Sequence, residues 1–306
     1  MTSALSVFVA EELHRDVPPP VGAFARSIAA ECKAAAVLFY GSILRSGDVS
    51  GMLDFYVLTD GPHRRGARGW IERRLWPEIS FREWGQDGIT LRAKVALMPL
   101  STFADAAAGR RLDTTIWTRF VQPAALAWSA TTEAETRVVN AVCEAAMTAA
   151  AFAVVTGPSR GPADAFWRAL FAETYRAELR VERPGREEEI VAFDQARYAR
   201  LLPLAWNAAG ISFADAGTIL EPAVSADRRS RLVDAWRRSR RWGRPLNAAR
   251  LVKSALTIEG AGRYAAWKLE RHAGVSLTPW ETRHPLLASA AIFWRLRRKR
   301  GQADAA

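Results

Sequence analysis

Two small residues and one carboxylate carry the clearest chemical signal in this chain. Gly41-Ser42 closes an apolar run, and Asp54 lies twelve residues beyond Ser42 inside a second apolar run. Glycine lets a backbone approach a phosphate closely, and serine adds a hydroxyl donor beside backbone N–H groups. A carboxylate on an adjacent strand is suited to hold a magnesium ion that bridges triphosphate oxygens. Gly41 and Ser42 are thus candidate nucleotide-binding residues, and Asp54 is the candidate catalytic residue and metal ligand. Tyr56 stands two positions on, where a second acid would face the same side. Positive charge is also needed, because two anions must meet; Arg92, Lys94, Arg119 and Arg180 are the candidate clamps. Lys94 carries particular weight, since a charged residue on a central strand needs a polar site or a partner.

The missing second acid bears on the acceptor. A hydroxyl that attacks an α-phosphate benefits from a carboxylate as general base. A phosphate monoester, with a second pKa of about 6, is already ionised. The site therefore suits a phosphate nucleophile better than an alcohol. Competing readings are structural: Asp54 as a strand-end carboxylate, Arg45 as a solvated loop residue, His63 as a loop residue. His272 and His284 are assigned no chemistry.

The elements that must position these residues follow from periodicity. Helices are expected over residues 5–16 and 22–35, separated by Pro18-Pro19-Pro20. Ala34 to Tyr40 and Met52 to Leu58 read as buried strands. Thr90 to Leu100 reads as a third, with Arg92 and Lys94 on one side and Leu91, Ala93, Val95 and Leu97 on the other. Beyond Trp117 the pattern turns helical, over 133–156, 163–181, 186–202, 227–242, 246–258, 260–273 and 285–300. The fold class is α+β: a nucleotide-handling domain with a mixed sheet over 1–127, a helical region over 128–226 contributing to the site, and a basic helical tail over 227–306.

Composition narrows the setting. The 306 residues are 49% hydrophobic, enough for a sizeable core. Cys32 and Cys143 are far apart and form no metal-binding spacing, so buried free thiols in a reduced compartment are expected. Glu11, Glu12 and Asp16 argue against a secretory or transit segment, and Val138 to Val155 reads as a buried helix rather than a membrane span. Charge is unevenly placed. Residues 228–300 hold 19 Lys+Arg against 4 Asp+Glu, a net of +15, whereas the whole chain is +11. Such a local concentration implies a polyanionic partner, bilayer or nucleic acid. Residues 291–300, with Phe293 and Trp294 followed by clustered arginines, have the composition of an interfacial anchor, a theme that Trp236, Trp242, Trp267 and Trp280 extend. An anionic membrane is the expected partner, with the protein peripherally associated with the cytoplasmic side of the inner membrane.

Strand, Gly41-Ser42, loop and Asp54 resemble the skeleton of the polymerase-β-like nucleotidyltransferases. Tyr40-Gly41-Ser42 followed by Met52-Leu53-Asp54-Phe55 resembles, more narrowly, the mitochondrial-type CDP-diacylglycerol synthases of the translocator assembly and maintenance family. That family transfers CMP from CTP to phosphatidic acid with magnesium, and its members tend to carry an apolar residue where Tyr56 stands. Arg119-Phe120-Val121-Gln122-Pro123 resembles the family's Gly-Arg-Leu-Gln-Lys-Pro element. The segment Thr174-Tyr175-Arg176-Ala177-Glu178-Leu179-Arg180 resembles its Ser-Tyr-x-Gly-Asp-x-Arg element. The resemblance makes Glu178 a second metal ligand; the residue's own context equally allows a surface glutamate paired with Arg176 or Arg180. Lys94 resembles the lysine of the family's Lys-Tyr-Gly segment. The likeness covers about residues 36–200. It omits the family's Asn-rich, His-containing stretch and implies a divergent bacterial phosphatidate cytidylyltransferase, active on CTP and phosphatidic acid. Two alternatives stay open: a nucleotidyltransferase acting on a small molecule or RNA end, and an inactive relative that binds membrane or nucleic acid.

Overall fold

The computed structural model describes residues 3–49, 51–61, 75–86, 88–177 and 186–257. The readings placed on His63, Glu178, Arg180, Trp267, His272, Trp280, His284 and the segments 260–273 and 285–300 lie outside the described residues.

The apolar run AAAVLFY becomes β1 (Ala34–Tyr40), the only described strand buried along nearly its whole length on both faces. It lies between β2 (Met52–Thr59) and β5 (Ala124–Ser129), antiparallel to both. On the far side of β2, β4 (Ile89–Pro99) runs parallel to it, and β3 (Glu78–Gln86) closes that edge antiparallel to β4. The result is a mixed five-stranded sheet in the order β3-β4-β2-β1-β5. With the helices it makes the expected α+β architecture.

Alternation along the strands divides the core by face. Val37, Phe39, Leu53, Phe55, Val57, Leu91, Ala93 and Val95 point to one side. There α2 (Pro19–Cys32), begun by prolines whose missing N–H is harmless in a first turn, lays Val21, Phe24, Ala25 and Ile28 on them. Leu38, Tyr56, Leu58, Ala96 and Met98 point to the other side and join a larger, mostly helical core that extends to Trp236.

The axis of that helical side is α6 (Thr132–Thr156). Thr131 caps it by accepting from Ala134 N at 3.1 Å, and Glu133 and Glu135 complement its dipole. Gly157 ends it, where a Cβ would lie 2.7 Å from both Ala153 O and Phe166 Cδ1. The helix is long and apolar enough to cross a membrane, but two thirds of its apolar window is buried in the fold. Around it pack α1 (Ala4–Leu13), α4 (Leu100–Ala107), α5 (Thr115–Phe120), α7 (Ala163–Ala177) and α9 (Gln195–Ala208). The described residues also form the short α3 (Ser42–Ser46), α8 (Arg186–Phe193) and the hairpin β6 (Ser212–Asp215) with β7 (Leu220–Ala223).

The chain departs from expectation in several places. Residues 186–202 form two helices, because Asp194 turns out of helical geometry and caps α9 through Arg197 N at 3.1 Å. The expected helices 227–242 and 246–258 are one, α10 (Ala226–Thr257), with Pro245 inside it. Its inward stripe of Trp236, Ser239, Gly243 and Arg250 keeps helical spacing straight through the proline. Gly243 passes so close to α7 that a Cβ would meet Ala177 O at 2.7 Å. Trp236 is also corrected. It is 8% exposed and packs on Trp117 and Phe152, so it belongs to the core rather than to an interfacial anchor. Trp242, six residues further along α10, is 50% exposed.

Candidate active site

The turn and the carboxylate meet. Register pairing sets Tyr40 beside Asp54 on one side and Lys94 beside Asp54 on the other, so three strands bring these residues into one row. Gly41 leaves β1 with φ 97 and ψ −163, a conformation open essentially only to glycine. The reason is local: a Cβ there would stand 2.8 Å from Asp54 Oδ2. The backbone of the turn thus lies directly against the carboxylate. Ser42, exposed, opens α3 one residue further on.

Asp54, Tyr40 and Lys94 are all half-buried, at the rim where the helical core gives way to solvent. Phe81 of β3 pairs with Lys94 and continues the row to the sheet edge. Arg92 sits one pleat nearer the start of β4, opposite Met52, and its Nε donates to Glu83 Oε1 at 2.9 Å. That guanidinium is engaged by a neighbouring strand instead of standing beside Asp54.

Arg119 reaches the same face from α5. Ile116, Trp117 and Phe120 of that helix are buried and fix its position, while Arg119 is the half-exposed exception. Its Nη1 donates to Tyr56 Oη at 2.9 Å. Tyr56 follows Asp54 by two residues and shares its face. The Tyr56 ring is wholly buried against Tyr40, Phe103 and Phe120, with centroids 5.3, 6.3 and 5.1 Å away. Upstream, Asp113 accepts from Thr115 N at 3.1 Å and from Arg250 Nη2 at 3.1 Å, while Arg250 lies 4.0 Å over the Trp76 ring. Helix α10 therefore anchors the start of the helix that carries Arg119.

The sequence reading omitted the aromatic bed of Tyr40, Phe103 and Phe120 and the use made of Tyr56. One signal for it was present: Tyr56 has the same strand parity as Asp54.

A resident magnesium ion is compatible with these residues on one count. Asp54 sets a carboxylate oxygen against a turn with no side chain, and a hard cation commonly takes one or two carboxylates plus substrate phosphate oxygens. Among the described residues no group of three or more His, Cys, Asp or Glu could hold a metal, so the fit is to a site with few protein ligands. Glu178, the other expected ligand, and Arg180, a candidate clamp, are outside the described residues. The remaining chemistry is cationic, with a lysine at the register position beside Asp54 and a guanidinium on Tyr56.

No protein-family model matches the chain, and no curated protein matches its sequence.

Proposed function

We propose that the chain is a polymerase-β-like nucleotidyltransferase that transfers CMP from CTP to phosphatidic acid, giving CDP-diacylglycerol and pyrophosphate. One observation carries this reading: Asp54 Oδ2 lies against the side-chain-free turn at Gly41, with Lys94 as its neighbour across the parallel pair. A carboxylate, a bare turn and a cation within one row are what a magnesium–triphosphate complex requires.

Asp54 would hold magnesium, which neutralises charge on the triphosphate when bound. Glu178 is the expected second ligand. Gly41 and Ser42 receive phosphate oxygens at close range. Lys94 and Arg119 draw charge off the phosphates as an oxygen of the phosphatidic acid headgroup bonds to the α-phosphorus and the bond to pyrophosphate breaks. No proton has to leave the nucleophile, which suits a site with a phenol where a general base would stand.

The basic end of the chain supports a peripheral, cytoplasmic-side location on the inner membrane. Arg237, Arg238 and Arg241 are exposed on α10, next to the exposed Trp242. Arginines with an aromatic at their margin suit an anionic lipid surface.

The test is incubation of purified protein with labelled CTP, magnesium and phosphatidic acid vesicles. Label enters the lipid, and Asp54→Ala abolishes the transfer. Transfer that survives Asp54→Ala overturns the assignment. Stabilisation by ATP equal to that by CTP favours a broader transferase, and stabilisation by neither favours an inactive binder.

A further inference from the structure

We infer that Tyr56, at the position of a second acid, is a positioning residue that holds the Arg119 guanidinium against the nucleotide's phosphates, where it replaces a second divalent cation. The inference rests on the nucleotidyltransferase reading of the site.

Strand geometry states the problem. Residues two apart on one face are about 6.6 Å apart along the strand. Paired catalytic cations stand about 3.5–4 Å apart. A carboxylate at residue 56 would therefore grip a second ion beside one on Asp54. A neutral phenol is a poor ligand for a hard divalent cation, which selects carboxylates, carbonyls and water. Nor can the ring swing away to admit another ligand, since it is fully buried and wedged among Tyr40, Phe103 and Phe120.

What occupies that place is positive charge of another kind. The Tyr56 hydroxyl accepts from Arg119 Nη1, tying a permanently charged, planar fork to the face that carries Asp54. Such a fork matches phosphate geometry in a way an ammonium does not. Both ends of Arg119 are held. Its backbone is fixed by Trp117 and Phe120 in the core and by Asp113 at the helix start; its head is fixed by Tyr56. A solvated surface arginine would have neither restraint. The tyrosine is thus part of a one-cation arrangement, with the guanidinium carrying the remaining charge.

Nucleotide and ion binding test this without depending on the acceptor. Manganese(II), counted by electron paramagnetic resonance in the presence of CTP, binds at one ion per chain. Calorimetry gives a CTP Kd raised about tenfold or more by Arg119→Ala, as expected for a lost charge-assisted hydrogen bond. Tyr56→Phe raises it at least threefold, and adding Tyr56→Phe to Arg119→Ala raises the Kd no further. A merely structural tyrosine would lower Tm and leave the Kd alone. Two ions per chain, or wild-type CTP affinity in Tyr56→Phe, overturns the inference while leaving the transferase reading intact. Absence of CTP binding to the unaltered protein overturns both. The expected Kd pattern without transfer to phosphatidic acid upholds the inference and refutes the acceptor.

Discussion

Replacing Gly41 by alanine isolates the contact on which the site depends. The residue sits at φ 97, ψ −163, in a region that costs a side-chain-bearing residue about 1–3 kcal/mol. Unfolding entropy of about 2.1 cal/mol/K per residue, over 306 residues, makes about 0.6 kcal/mol/K, so this strain lowers Tm by about 2–5 °C. Strain alone leaves a folded protein. The second effect is local: the new methyl would stand 2.8 Å from Asp54 Oδ2, when ordinary contact begins near 3.4 Å, so the carboxylate must retreat by roughly 0.6 Å. Displacements of that order at a reacting centre cost up to about a hundredfold in rate. Gly47→Ala is the control. It too has positive φ, at 73, but a Cβ there meets nothing within 4 Å. Label transfer from CTP and thermal unfolding are measured on both variants. Both lose a few degrees, and only Gly41→Ala loses transfer. Equal activity in the two would refute the claim that the turn and the carboxylate act together.

Three further outcomes are expected. Glu12 holds the buried Arg197 through contacts of 2.5 and 2.9 Å, so Glu12→Gln leaves a buried charge poorly compensated; chemical denaturation registers a loss of about 3–5 kcal/mol, part of which Glu12→Gln with Arg197→Met regains. Burial, with Glu144 adding, pushes the Cys143 thiol up to about 11, so alkylation of the folded protein at pH 8 is on the order of a hundredfold slower than for an ordinary thiol, and rises as pH approaches 11. Changing Arg237, Arg238 and Arg241 together to glutamine removes three exposed charges near a surface, each worth about 1 kcal/mol, and lowers partitioning onto anionic vesicles about a hundredfold in sedimentation assays, less at high salt.

The parts of the fold that could be read from sequence are those whose burial is two-sided or strictly periodic. β1 and β2 are continuous apolar runs, and β4 alternates, with Arg92 and Lys94 facing away from Leu91, Ala93 and Val95 as expected. β3 gave no such signal, because an edge strand such as Glu78–Gln86 is half-solvated and mixes Glu, Arg and Trp. β5, reading AALAWS, is too short and alanine-rich to separate from helix. The sequence pattern read as two helices, 227–242 and 246–258, where α10 is one. Tertiary contact overrode it: Gly243 against Ala177, Arg244 on Arg176 O at 3.0 Å and Arg250 on Asp113 hold both sides of Pro245 to the same helical line.

The site divides along the same line. The Gly41–Asp54 pairing was legible because a turn and a carboxylate on adjacent strands constrain each other through register, and register follows from the hydrophobic pattern. Arg119 was singled out by residue type, but its hydrogen bond to Tyr56 spans 63 positions and depends on how α5 packs over the sheet. No local pattern encodes that. Arg92 shows the converse: a charged residue on the favoured face, with strand parity matching Lys94, is engaged by Glu83 from an edge strand that the sequence hid. Spacing tells which side chains share a face, whereas packing decides which charges on that face are committed to one another. At this site packing sets a guanidinium on the tyrosine that stands two residues beyond Asp54, and that pairing separates it from a site built on two strand acids.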